Sequence, residues 1–415
     1  MRILLHSPYY APELISIGKY NAEMAQWLVQ QGHQVRVVTA APHYPAWRVG
    51  AGYSAARYSR ETIGGVDVWR CPAWIPRRPG GLVRMLYTLS HMLASLPVLL
   101  WQALWRPQIV MAVEPPLLSF LPALIAARAC GARTWLHVQD LEVDAAFELG
   151  ILQGQRARRW ALGLEAGLLR RADCVSTISA RMAERLRGKG VPQEQLLIVP
   201  NWADELPPDP PGADFRQRLG IPASHRIAMY AGNMAGKQGL ETLVEAARLL
   251  QHRSDIFFVL AGDGPAREAL QTLAQGLPQV RFLPLQPLSH LGAMLRAADV
   301  HLLPQRAAAA DLVMPSKLGG MFASGRATVA GVRPETEVAA ALLGCGVVVP
   351  PEDAPAFAAA IEALCDDPQR AARLGANAQA WVRAELAKDA VLSRLQDAFV
   401  QLCERPPGTA PGARR

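Results

Sequence analysis

A chain of 415 residues is too long for one ordinary core, and with 51 % hydrophobic residues it holds material for two. Its six cysteines are scattered without CxxC or Cys/His spacing, which argues against a disulfide framework or a zinc site and for a reducing cytosol. The net charge of +8 is unevenly shared, +9 over residues 1–200 against −1 over residues 201–415, so an anionic surface or partner is expected for the first half.

Met1-Arg2 leads straight into an apolar strand, RILLHS, and no secretion signal is expected. PYYAPELISIG reads as a loop whose Gly18 opens the first helix. KYNAEMAQWLVQQ follows, with Met24, Trp27, Leu28 and Gln31 at helical spacing until Gly32 stops it. QVRVVTA is the next strand. The stretch LVRMLYTLSHMLASLPVLLWQALW (82–105) has the length of a membrane span. Arg84, Ser90, His91, Ser95, Pro97 and Gln102 interrupt it, however, and Arg77, Arg78 and Arg106 flank it. Three readings stay open: half-buried helices of a domain, a face lying on a membrane interface, or a true span. The arginines interleave with apolar helices rather than with a recognition helix or stacking aromatics. An anionic leaflet therefore fits the charge better than nucleic acid, which is not expected as a partner.

QIVMAV (108–113), TWLHV (134–138), CVSTIS (174–179) and LLIVP (196–200) continue the first sheet, and PNWADELPPDPPGADF (200–215) reads as a linker. The pattern then restarts with IAMYAG (227–232), IFFVLAG (256–262), VRFLPL (280–285), VHLLP (300–304), ATVAG (327–331) and GVVVP (346–350). Strands alternating with amphipathic helices give parallel sheets with crossover helices. The fold expected is α/β, two doubly wound Rossmann-like domains facing across a cleft. The domains are expected at 1–203 and 204–385, followed by a helix over 386–403 that packs back on the first domain and a disordered tail over 404–415.

In open α/β sheets, ligands sit at the carboxyl ends of strands, where free helix N–H groups favour anions. Three junctions fit. AGNMAGKQGLETLVEA (231–246) carries Lys237 between Gly236 and Gly239; VMPSK brings Ser316 and Lys317 to a helix start; ISIGKY does the same with Gly18. Taken singly, each glycine could be turn chemistry and each lysine solvated. Their recurrence matters more, because only five lysines exist and two fall at equivalent places in one domain. Two cations and several N–H dipoles in one cleft suit a diphosphate leaving group. No GxxxxGK[ST], no GxGxxG after the first strand, no GxSxG, no HExxH and no metal-holding DxD occurs. Neither a cofactor nor a metal is therefore expected.

YAPELISIGKY, PNWAD, AGNMAGKQGLETLVEA, AGDGP and MPSKL…ASGRATVAG, in this two-domain frame, resemble family 4 glycosyltransferases of GT-B architecture. HVQDLEVDAAFELGIL (137–152) and the MPSKL form resemble those assigned to colanic acid or related exopolysaccharide assembly. The resemblance implies retaining, metal-independent transfer of a sugar from a nucleoside diphosphate to a hydroxyl. The C-terminal domain would hold the nucleotide and the N-terminal domain the acceptor, a polyprenyl-linked oligosaccharide. The enzyme would be cytoplasmic and peripherally attached to an anionic inner membrane. Fucose from a guanosine donor is suggested by the subfamily alone.

Carried over residue by residue, Lys237 matches the lysine of the family's basic pair, and Asn233 stands where its arginine is usual. Gly18 matches the loop that approaches the distal phosphate, and Gly262 of AGDGP joins the donor contacts. Gln139-Asp140 replaces the usual His-Asp, with His137 two residues earlier. Asp140 would orient hydroxyls, with His137 and Gln139 beside the acceptor. The family's Glu-x7-Glu is absent, since Leu312 and Gly320 occupy its places. That leaves Asp311 for the donor sugar and Ser316 with Lys317 for phosphate. Gly319 and Gly320 would either admit closer packing or mark a weakened site. The expected catalytic set is Asp140, Lys237 and Lys317. A catalytically weak scaffold and a sugar-nucleotide epimerase are the competing readings.

Overall fold

The structure, a computed structural model, describes residues 1–13, 16–44, 46–77, 81–144, 154–203, 205–209, 214–307 and 316–405. The chain divides into two compact units. One runs from Met1 to Pro200 and takes up the chain again from Leu392; the other is Asn201–Val391.

The first unit is built on eight strands: β1 (Arg2–His6), β2 (Gln34–Ala40), β3 (Ser59–Ile63), β4 (Val66–Cys71), β5 (Ile109–Glu114), β6 (Arg133–Val138), β7 (Cys174–Thr177) and β8 (Leu196–Ile198). Their order is β3-β4-β2-β1-β5-β6-β7-β8, parallel throughout except for the antiparallel β3–β4 hairpin. That hairpin is absent from the sequence reading. Its turn, Gly64-Gly65, has φ of 56° and 81°, the left-handed pair that glycine supplies to a two-residue hairpin. Three helices pack on this sheet, α1 (Ser16–Gln30) and α2 (Gly81–Ala103) on β2 and β4, and α3 (Phe120–Cys130) on β5 and β6. α1 begins two residues before Gly18, which lies inside its first turn. The final helix, Lys388–Glu404, sets Phe399 edge-on against Trp135 of β6, 4.7 Å between centroids.

The second unit holds β9 (Arg226–Ala231), β10 (Ile256–Ala261), β11 (Val280–Leu283), β12 (Val300–Pro304), β13 (Ala327–Gly331) and β14 (Gly346–Val349), all parallel, in the order β11-β10-β9-β12-β13-β14. Side chains alternate between two cores. Ala228 and Tyr230 of β9 join Phe258, Leu260 and Phe357 on one face; Ile227, Met229 and Ala231 join Val259 and Met294 on the other. A sheet buried on both faces needs strands that are apolar at most positions, which is why these six runs were legible.

Each sheet has a reversal of strand order. In the first unit β1 lies between β2 and β5; in the second, β9 lies between β10 and β12. The loops that leave the carboxyl ends of the strands flanking such a reversal diverge, and the gap between them is where doubly wound sheets receive ligands.

Candidate functional site

In the second unit, β9 ends in the turn Gly232–Met234 and β10 in the turn Gly262–Gly264, and the two turns lie back to back. The Met234 N–H donates to the Asp263 carbonyl at 2.8 Å, and the Ala266 N–H to that of Met234 at 2.9 Å. Gly262 has φ +140°, and a Cβ there would lie 1.9 Å from the Gly232 carbonyl oxygen. Only glycine permits that approach. A Cβ on Gly264 would likewise fall 2.6 Å from Asn233 Oδ1. Gly262 and Asn233 are thus brought together, with Asn233 exposed at the rim.

Above this turn sits Lys317, the second residue of the helix Ser316–Ala323. Its Nζ lies 3.5 Å from Tyr230 Oη and 4.6 Å from the centre of that ring. Tyr230 is itself fully buried and donates its hydroxyl proton to the Asn233 carbonyl at 2.6 Å. Burial pushes this phenol above its ordinary range, so it stays neutral beside the ammonium. The Lys317 stem runs along Gly232, its Cδ 3.5 Å from where a Cβ would be.

Lys237 lies in the short helical turn Gly236–Gln238 after β9; its side chain is outside the described residues. Arg306, just past β12, braces that turn across the strand-order reversal. Its Nε donates to the Gly236 carbonyl at 2.6 Å and its Nη2 to Glu241 at 2.9 Å, while Nη1 reaches Glu352 at 3.2 Å. Gly239, at φ +63°, leaves room for the arginine stem, whose Cγ would lie 3.2 Å from a Cβ. The sequence reading missed both Arg306 and Tyr230. Asp311 and the Ser316 side chain lie outside the described residues, although Ser316 does open the helix.

The paired glycines have a packing reason. A Cβ on Gly319 would meet Ala203 Cβ at 2.8 Å, and one on Gly320 would meet Leu295 Cδ1 at 3.3 Å. Gly319 therefore lets the connecting segment lie against the helix, and Gly320 faces a core leucine.

In the first unit, a Cβ on Gly18 would meet Glu13 Oε2 at 2.8 Å. The partner that Gly18 admits is this carboxylate, which also accepts the His43 and Tyr44 N–H groups, each at 2.9 Å. Burial raises the Glu13 carboxyl despite these bonds. His137 is buried within β6, where its Nδ1 lies 2.8 Å from Ser176 Oγ, the hydroxyl that also accepts Trp135 Nε1–H at 2.7 Å. Burial depresses its pKa to about 4, leaving it neutral. It faces the sheet interior, whereas Asp140 is exposed just past the strand end and Gln139, between them, is buried.

Behind Asp140 lies a carboxylate cluster that the sequence reading missed. Glu114, at the end of β5, is raised well above the usual range, first by burial and then by Glu165, Glu142 and Asp140, while Lys189 opposes the shift. Lys189 pairs with Asp144 at 3.0 Å and with Glu165. The only sequence cue was a lone acid closing an apolar strand, IVMAVE.

Residues 17–202 match the family model described as Glycosyl transferase 4-like domain, and residues 225–367 that of Glycosyl transferases group 1. The chain is 39 % identical over 373 residues to the putative colanic acid biosynthesis glycosyl transferase WcaI of Escherichia coli (strain K12), covering 87 % of this chain and 91 % of that one. Among solved structures it is similar to sucrose-phosphate synthase from Thermosynechococcus elongatus, with a TM-score of 0.68 and 21 % identity over 97 % of this chain and 98 % of that one. It is also similar to Anabaena Alr3699/HepE in complex with UDP and glucose, with a TM-score of 0.65 and 16 % identity over 97 % of this chain and all (100 %) of that one. At such identities the structures bear on the fold alone, which is GT-B.

Proposed function

The chain belongs to the glycosyltransferases that join a 4-like domain to a group 1 domain, and from that premise we propose that it moves a sugar from a nucleoside-diphosphate donor to an acceptor hydroxyl. The observation that carries this reading is Lys317, held over Tyr230 beside the Gly232 turn, where the strand order of the second sheet reverses. The bond from the anomeric carbon to the diphosphate breaks, and a bond to the acceptor oxygen forms on the same face, which retains configuration. The departing phosphate oxygen takes the acceptor's proton, so no side-chain base is required. Negative charge develops on the diphosphate, and fixed donors in a partly dry site stabilise it most where they need no reorganisation. Lys317, Lys237 and the N–H groups of the helix Ser316–Ala323 supply those donors and take the part a metal ion plays elsewhere. Within the second unit Asn233 and Gly262 line the donor's approach, with Asp311 and Ser316 to complete it; within the first unit Asp140 orients an acceptor hydroxyl, with His137 and Gln139 behind it.

The likeness to WcaI supports a place in exopolysaccharide assembly of the colanic acid kind, and the acceptor proposed is a polyprenyl-linked oligosaccharide. Such an acceptor lives in a bilayer, so the enzyme works in the cytoplasm against an anionic inner membrane. The donor sugar proposed is fucose on a guanosine diphosphate. The test is incubation of the purified chain with a panel of sugar nucleotides and a lipid extract from the source cells, read by nucleoside-diphosphate release and by the anomeric configuration of the product. Release that depends on acceptor, with configuration kept, is expected. Release without acceptor would favour an epimerase or hydrolase, and inversion would overturn the same-face mechanism.

A further inference from the structure

α2 wears its amphipathicity the wrong way round for a helix that faces water. Its buried residues are Tyr87, Thr88, His91, Ser95, Leu99, Gln102 and Ala103, four of the seven polar. Its outward face is Met85, Leu86, Leu89, Leu93, Leu100 and Trp101, continued by Leu104, with Leu93 60 % and Leu104 79 % exposed. A surface helix of a water-soluble domain shows the reverse arrangement. Two contacts with the strands beneath oppose rotation of the helix about its axis: Gln102 Oε1 accepts from Arg36 Nη1 of β2 at 2.8 Å, and His91 stacks on His6 of β1 at 5.4 Å. The same inward packing against β2, β4 and α3 seats one side of the helix on the domain and leaves the other side outward.

The rim of this face is aromatic and basic. Tyr58, Trp74 and Trp101 are each about half exposed; Tyr58 Oη donates to the Ala94 carbonyl at 3.0 Å, and the Trp74 N–H donates to Ser90 Oγ at 2.9 Å. Arg77 and Arg84 stand exposed at the helix start, Arg106 just past its end, and Arg57 and Arg60 beside Tyr58. Tyrosine and tryptophan settle at the headgroup level of a bilayer, and arginines reach anionic headgroups from apolar stems. Residues 1–200 carry +9, so two copies pressed together through this face would repel.

We propose that the outward face of α2, rimmed by Tyr58, Trp74, Trp101 and the flanking arginines, docks flat on an anionic lipid leaflet. The proposal deepens the membrane reading above and rests on it for the source of the acceptor. The helix is about 34 Å long and sinks its leucines into the headgroup–acyl boundary, which fixes one orientation of the first unit at the membrane.

The test is flotation of the full chain with vesicles of phosphatidylcholine alone and of phosphatidylcholine mixed with phosphatidylglycerol, for the parent and for Leu86→Glu/Leu93→Glu. Both leucines are exposed, so the variant should melt with the parent. The parent should float with the anionic vesicles, and the variant should lose roughly tenfold or more of that partitioning per leucine. Equal flotation of the two proteins, or none by the parent, overturns the proposal. So does a lipid-free dimer in sedimentation that the variant dissolves, since a second copy would then own the face. Nucleoside-diphosphate binding is measured on the same samples. Its absence in the parent would count against the transferase reading without touching the vesicle result.

Discussion

Arg306→Ala should weaken donor use more than it weakens the fold. The guanidinium joins the Gly236 carbonyl, Glu241 and Glu352 at 2.6, 2.9 and 3.2 Å, with its side chain 41 % exposed. Half-exposed ion pairs contribute about 0.2–1 kcal/mol each, and a charged donor on a carbonyl contributes about 1.5 kcal/mol. The three contacts together are then worth about 2 kcal/mol. Spread over a unit this size, that loss lowers the melting temperature by roughly 5 °C. The turn that loses its brace carries Lys237, and about 2 kcal/mol of misplacement there corresponds to a donor KM raised by roughly tenfold to thirtyfold. kcat should fall less than KM rises. Arg306→Lys can keep one of the three contacts and should recover part of the loss. Initial rates against donor concentration, with a melt on each sample, decide the matter. An unchanged donor KM in an Arg306→Ala protein whose melting temperature has dropped would refute the argument and leave Arg306 as a fold contact only.

Gly319→Ala and Gly320→Ala should part company in thermal melts. The first drives a methyl into Ala203 Cβ at 2.8 Å and should cost about 1–3 kcal/mol, whereas the second meets only the flexible end of Leu295 at 3.3 Å and should be close to neutral, the gain in helix propensity offsetting the contact. Equal effects would undo the packing account. For His137→Gln the prediction concerns acid. Folded His137 stays neutral down to about pH 4 while the unfolded residue takes its proton near 6.5, so its contribution is complete above pH 6.5 and is lost, by about 3 kcal/mol, as the pH falls toward 4. The stability gap between parent and variant in urea titrations should therefore narrow from pH 7 to pH 4; a constant gap would contradict the burial argument.

The second sheet could be read strand by strand because burial on both faces removes polar residues from each run. The β3–β4 hairpin escaped because SRETI lies mostly in water and carries little apolar signal, although the Gly64-Gly65 turn was there to be seen. α2 left three readings open because composition alone does not tell which face of a helix turns inward; the buried positions of His91, Ser95 and Gln102 show which face that is, and vesicle flotation chooses among the readings. At the site, the glycines at 232, 262 and 264 were visible as turn residues, but their neighbours across the two loops were not. Arg306 and Tyr230 escaped for the same reason, since each acquires its meaning from a partner on another strand or helix. The packing of Gly320 depends on Leu295, on a different helix, and no local pattern announces it.

The account stands or falls on whether positive charge in the second unit recognises a diphosphate. Calorimetric titration of the parent and of Lys317→Met with matched nucleoside mono- and diphosphates tests this without any acceptor. The parent should bind the diphosphate the more tightly, and Lys317→Met should lose most of that preference while still binding the monophosphate. A preference of undiminished size in Lys317→Met would contradict the central claim.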